Sequence, residues 1–270
     1  MMNHPGAMFR LSTALMKGEL GQVVDARDGL KWLKLSCKYA NEQYPQALYD
    51  LAMLHDEGLK SLVWPDHKYL IELLIRASEL KHSPSQYILG TAFEHGKYSV
   101  QKEAAKSIYY YSLAASNGHI EAMFELGGWY LVGTSDPATH FELAQSDVEA
   151  YKWVRRAAER KLPRAMFAMG YFCENNIGLG KLEDADQWYR MAAEAGDSKA
   201  IERMDKKSGK GRKSGKSGKI VWDDVMAKRR RMGVLSCKCH VTRSDNIILY
   251  SIIRDPFPVL WEFIPRVFSL

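Results

Sequence analysis

ALYDLAMLHDEG (47–58), SQYILGTAFEHG (85–96), AMFELGGWYLVG (122–133) and AMFAMGYFCENN (165–176) are four versions of one pattern, and AMFRLSTALMKG (7–18) fits the same frame. Each opens on a small residue (position 0), carries Leu or Met at +4 and Gly, Ala or Ser at +5, and four of the five end on Gly at +11. Positions 0, +4, +8 and +11 fall on one side of a helix, so each stretch reads as a helix with an apolar stripe. A second pattern alternates with the first: GLKWLKLSCKYA (29–40), LIELLIRASELK (70–81), SIYYYSLAASNG (107–118), AYKWVRRAAERK (150–161) and ADQWYRMAAEAG (185–196). There an aromatic or Leu (Trp32, Leu73, Tyr110, Trp153, Trp188) precedes a pair of small residues by four. The pairs Ala114–Ala115, Ala157–Ala158 and Ala192–Ala193 let two helix axes approach closely, and the terminal glycines close the helices as left-handed caps.

The first patterns begin at 7, 47, 85, 122, 165 and 200, a spacing of 35–43 residues. No unit of this kind can bury its own apolar face, and stacking on the next unit supplies the missing surface. The expected fold is therefore all-α, an α-solenoid of stacked helix–turn–helix repeats over residues 1–204.

The charge lies elsewhere. The chain of 270 residues has a formal net charge of +6, but residues 205–231 alone carry +8, and residues 1–204 about −3. Residues 205–231 read as a disordered, flexible basic tail; residues 232–270 show neither the repeat nor a helical period and stay unassigned. Lys228, Arg229, Arg230 and Arg231 are the candidate contacts to an anionic membrane, where each basic residue contributes roughly 1 kcal/mol. A plain solvated tail is the alternative. GKGRKSGKS (209–217) imitates a phosphate-binding loop, but Lys210 stands where that motif needs its first Gly, so a linker is the simpler reading.

The cysteines give no disulfide framework: Cys37 and Cys173 sit inside helical patterns, and Cys237-Lys238-Cys239-His240 lacks the second pair a structural zinc site needs. The first residues do not read as a signal peptide, and no apolar run reaches membrane-spanning length. Nucleophile, base and stabiliser do not come together in any motif, so an enzyme is not expected. Neither is a cofactor, a metal, a small-molecule substrate or a nucleic-acid partner.

A-x-x-x-L-G-x-x-Y/F-x-x-G followed by A-x-x-W-x-x-x-A-A-x-x-G resembles the Sel-like repeat, which is tetratricopeptide-like. The run from LGGWYLVG through QSDVEAYKWVRRAAERK to MAAEAGDSKAIERM, with NEQYPQALYDLAMLHDEG before it, resembles the fungal chitin synthase activators over residues 4–204. That resemblance implies a non-catalytic scaffold that activates or localises chitin synthase in cell-wall synthesis, cytoplasmic and peripheral at the plasma membrane. The alternative is an adaptor on the same fold for another partner, such as a cell-cycle kinase or a membrane-protein quality-control machine. The family often ends in a prenylated cysteine box, a pattern that the closing VFSL does not match.

Position +2 of the first helix is aromatic in all five full repeats: Phe9, Tyr49, Tyr87, Phe124 and Phe167. It lies about 200° from position 0 on the helical wheel, and by analogy with tetratricopeptide folds it borders the concave surface. Position +9 beside it carries Asp56, Glu94 and Glu174. Two readings stay open: rings packed between successive first helices as core, or a ladder with an acidic fringe that grips a partner segment. Tyr49, Tyr87, Phe124, Phe167, Glu94 and Glu174 are the candidate partner-binding residues. His55, at +8, reads as a packed histidine. The loop TSDPATHFELAQSD (134–147) is the longest of the set, and long solenoid loops are often contact sites.

Overall fold

The computed structural model describes residues 4–59, 61–136, 141–179 and 184–207; the tail from 208 and the stretch 232–270 lie outside them. The first pattern forms α1 (Pro5–Lys17), α3 (Gln46–Glu57), α5 (Ser83–His95), α7 (Ile120–Val132), α9 (Pro163–Asn175) and α11 (Ser198–Lys207). The second forms α2 (Ala26–Lys38), α4 (His67–Glu79), α6 (Ala104–Ser116), α8 (Asp147–Glu159) and α10 (Ala185–Glu194). The extensive contacts run between helices consecutive in the chain, as a solenoid requires.

The core follows the small residues. Ala47, Ser85, Ala122, Ala165 and Ala200 are buried at position 0, and Leu51, Leu89, Leu126 and Met169 at +4. The glycines at +5 are the points of closest approach. A Cβ on Gly90 would sit 2.6 Å from the Tyr111 ring, one on Gly127 2.6 Å from Val154, and one on Gly170 2.7 Å from Tyr189. The residue received there follows the one that the sequence pattern emphasised. Leu33, Leu74, Tyr111, Val154 and Tyr189 are deeply buried, whereas Trp32 is 36% exposed and Trp188 half-buried.

Helix ends are tied the same way in the first four repeats. The backbone N–H of the residue capping the second helix donates to the +8 carbonyl of the first: Asp25 to Leu15, Asp66 to His55, Glu103 to Phe93, Ser146 to Tyr130. Four of the five second helices, α2 excepted, end on a left-handed residue, Lys81, Gly118, Lys161 or Gly196, with φ between 61° and 88°. Two of these are lysines, so the glycine signal marks only half of those turns. At each, the following N–H reaches back into the last turn, for example Leu162 to the Ala157 carbonyl at 3.2 Å.

One element had no announcement in the sequence. Within the loop after α7, β1 (Thr134–Asp136) pairs antiparallel with β2 (Phe141–Leu143), Ser135 opposite Glu142. Gly133 turns the chain into it with φ 66° and ψ 171°, a conformation essentially reserved for glycine.

Candidate partner-binding face

The +2 rings lie at the junctions between repeats, and their burial grades along the chain. Phe9, Tyr49 and Tyr87 are half-buried, while Phe124 is 8% and Phe167 3% exposed. Tyr49 meets the ring of His82 edge-on at 5.3 Å. Tyr87 stacks on His119 at 4.5 Å, with planes 15° apart. Phe124 lies under the Arg164 guanidinium at 4.7 Å, and Phe167 tilts against Tyr189 at 5.3 Å. Each ring therefore contributes one face to the solenoid's packing, and Phe9, Tyr49 and Tyr87 keep part of theirs at the surface.

Carboxylates at +9 hold tyrosine hydroxyls. Glu94 is buried and accepts a hydrogen bond from the Tyr111 hydroxyl at 2.8 Å. Glu174 accepts one from Tyr189 at 3.0 Å and also pairs with Arg203, whose guanidinium covers the Tyr189 ring at 4.5 Å. Asp56 takes the Tyr98 hydroxyl at 3.3 Å, with His67 at 3.8 Å. Burial pushes the Tyr111 and Tyr189 hydroxyls well up, so both stay donors at neutral pH.

A polar cluster links three repeats. Arg164 pairs with Glu125 at 3.3 Å and acts electrostatically on the Tyr87 hydroxyl, while its carbon faces the Phe124 ring. Burial, reinforced by Glu125, raises the Tyr87 hydroxyl above its ordinary value. The sequence reading missed Arg164, Glu125, His82 and His119. The histidines carried a findable signal: His4, His82 and His119 each stand three residues before position 0. There each is the residue that caps the next first helix, His4 and His119 through Nδ1. Lys228, Arg229, Arg230 and Arg231 lie outside the described residues.

His82 and His119 give the face a pH response. Burial lowers both below the ordinary histidine value of 6.5; the neighbouring His119 lowers His82 further, and Glu121 partly offsets the effect on His119. Protonation therefore favours the unfolded chain. The stability held by these neutral rings is complete above about pH 6.5 and is lost as pH falls below it. The melting temperature should drop between about pH 7.5 and pH 5, and His119→Asn, which keeps a capping side chain, should make that drop shallower. An unchanged slope in His119→Asn contradicts the assignment.

Comparison with known proteins places the chain. The Sel1 repeat family model matches residues 5–38, 45–82, 83–119, 120–162 and 163–197. A chitin synthase regulator of Malassezia restricta is 44% identical over 197 residues, covering 73% of this chain and 13% of its own length. The chitin synthase regulator of Saccharomyces cerevisiae is 38% identical over 211 residues, covering 77% of this chain and 30% of that protein. The chain thus spans less than a third of either relative. Among solved structures, a Sel1 repeat protein from Oxalobacter formigenes superposes with TM-score 0.62 at 21% identity, covering 85% of this chain and 87% of that one. A protective antigen of uropathogenic Escherichia coli with the same repeat fold gives 0.62 at 20% identity, covering 85% and 46%. At such identities the two structures speak for the fold alone.

Proposed function

Because the chain belongs to the Sel1 repeat family, we propose that it is a non-catalytic scaffold that activates or localises chitin synthase in fungal cell-wall synthesis. The observation that carries this reading is the identity to two chitin synthase regulators over 197 and 211 residues, 73% and 77% of this chain. A short motif would transfer only a fold; identity of that extent also reaches surfaces that a partner touches. The half-buried rings Tyr49 and Tyr87 are the contact surface of this scaffold, with Phe124 and Phe167 backing them and Glu94 and Glu174 fixing the helices that carry them.

Among the described residues no helix is long and apolar enough to cross a membrane. Attachment to the plasma membrane falls to the basic segment, where Lys228, Arg229, Arg230 and Arg231 meet anionic headgroups. Tagged protein isolated from fungal membranes and cytosol tests the reading. Chitin synthase is expected in the eluate. A kinase or a quality-control complex in its place, with no chitin synthase, contradicts the proposal.

A further inference from the structure

The repeats act as internal controls for one another. In the fourth repeat the +2 ring and the +3 carboxylate, Phe124 and Glu125, are both engaged by one arginine: Arg164 lies 4.7 Å over the ring and 3.3 Å from the carboxylate. Arg164 occupies the position just before position 0 of the fifth repeat. At the end of the array Arg203 makes the same kind of contact with Tyr189 and Glu174. A guanidinium suits this arrangement because its plane stacks on a ring while its edge forks to a carboxylate.

The second repeat presents the same ring and carboxylate at +2 and +3, Tyr49 and Asp50, both half-buried. In register, the residue in the place of Arg164 is Pro84, which brings no charge. Among the described residues the Asp50 carboxylate takes no hydrogen bond and no ion pair. Burial raises it above the ordinary carboxylate value, and Lys17 is the opposing charge that acts on it, from beyond ion-pair distance. A carboxylate in that condition is a vacancy for a cation, and Tyr49 beside it favours a flat one.

We propose that Tyr49 and Asp50 form a subsite that accepts one arginine side chain from a basic segment of the protein partner. The inference rests on the reading that this face of the first helices binds a protein. The occupant is chosen by charge complementarity with Asp50 and by Arg164, which fills the equivalent arrangement in the fourth repeat.

The test uses the full chain and a short Gly/Ser peptide bearing a single arginine, alongside its citrulline counterpart. The arginine peptide should bind saturably and move the Asp50 carboxyl resonance, and the citrulline peptide should not. Asp50→Asn should weaken the arginine peptide about tenfold, the scale of one charge-assisted hydrogen bond. Pro84→Arg supplies the guanidinium in cis at a first-turn position that tolerates it, and should close the subsite to a similar extent. Binding indifferent to both substitutions, or equal for citrulline, overturns the proposal. If replacing Lys228–Arg231 with serine raises peptide affinity severalfold, the chain's own tail fills the subsite, and the assignment to a partner is overturned. Capture of the chitin synthase cytosolic region by the same variants separates the two levels. An arginine peptide that binds while wild type fails to capture chitin synthase sinks the functional reading and leaves the subsite standing. Normal capture by Asp50→Asn, with peptide binding lost, overturns the assignment of the subsite to that partner.

Discussion

Trp129→Ala should lower the stability of the repeat array by about 3–5 kcal/mol, the usual cost of removing a fully buried large aromatic. Trp129 is 1% exposed and stands at +7 of α7, on the same side as the buried Ala122 and Leu126. Its helix is the middle of the array, packed against α6 on one side and α8 on the other. A cavity there weakens two interfaces together, and a solenoid is held by such nearest-neighbour interfaces. Urea denaturation followed by helical circular dichroism reads the loss. A reduced slope would accompany it if the array then unfolds in two parts. Trp64→Ala is the matched control: that indole is 76% exposed in the loop after α3, and its loss should change stability by no more than about 0.5 kcal/mol. A Trp129→Ala variant as stable as the control contradicts the buried register of α7.

That register was only partly legible in the sequence. Position 0, the +4 aliphatic and the +5 glycine announced themselves because close helix packing demands a restricted side-chain size at each of them. Position +8 was read as part of the stripe, and Phe93 and Cys173 are buried there while His55 and Tyr130 are half-buried; at +7 Ala14, Ala92, Trp129 and Phe172 are covered while Leu54 is half-buried. Both positions border the stripe on a 3.6-residue period, and the sequence does not reveal the tilt of the neighbouring helix that decides between them. In the second helices the conspicuous Trp32 and Trp188 drew notice away from Leu33 and Tyr189. A tryptophan at the edge of an interface is as visible in a sequence as one at its centre.

The ladder itself was legible as a recurrence at +2, but its surroundings were not. What each ring meets comes from the next repeat, some 35–43 residues further on, and the partner differs from junction to junction: His82, His119, then Arg164. The +9 carboxylates were read as a fringe awaiting a partner. Glu94 and Glu174 each hold a tyrosine hydroxyl fifteen or more residues away, a contact that no spacing rule within one helix predicts. Burial differs between the two ends of the ladder. Phe124 and Phe167 have the burial of core residues, and Tyr49 and Tyr87 retain surface.

Tyr87 is the ring on which the scaffold reading depends most. Its ring stacks on His119 and its hydroxyl lies near Arg164 and Glu125, and on the proposed reading a partner segment spanning adjacent repeats meets it there. Truncating a true interface anchor costs about 2 kcal/mol or more in affinity, roughly thirtyfold in Kd. Phe124→Ala serves as the contrast, because its ring is 8% exposed and its loss should fall on stability instead. The decisive measurement is the affinity of Tyr87→Ala for the chitin synthase cytosolic region, taken at a temperature where circular dichroism shows the variant fully folded. If this ring anchors the partner, the affinity falls about thirtyfold relative to wild type. A folded Tyr87→Ala protein that binds chitin synthase with wild-type affinity would contradict it.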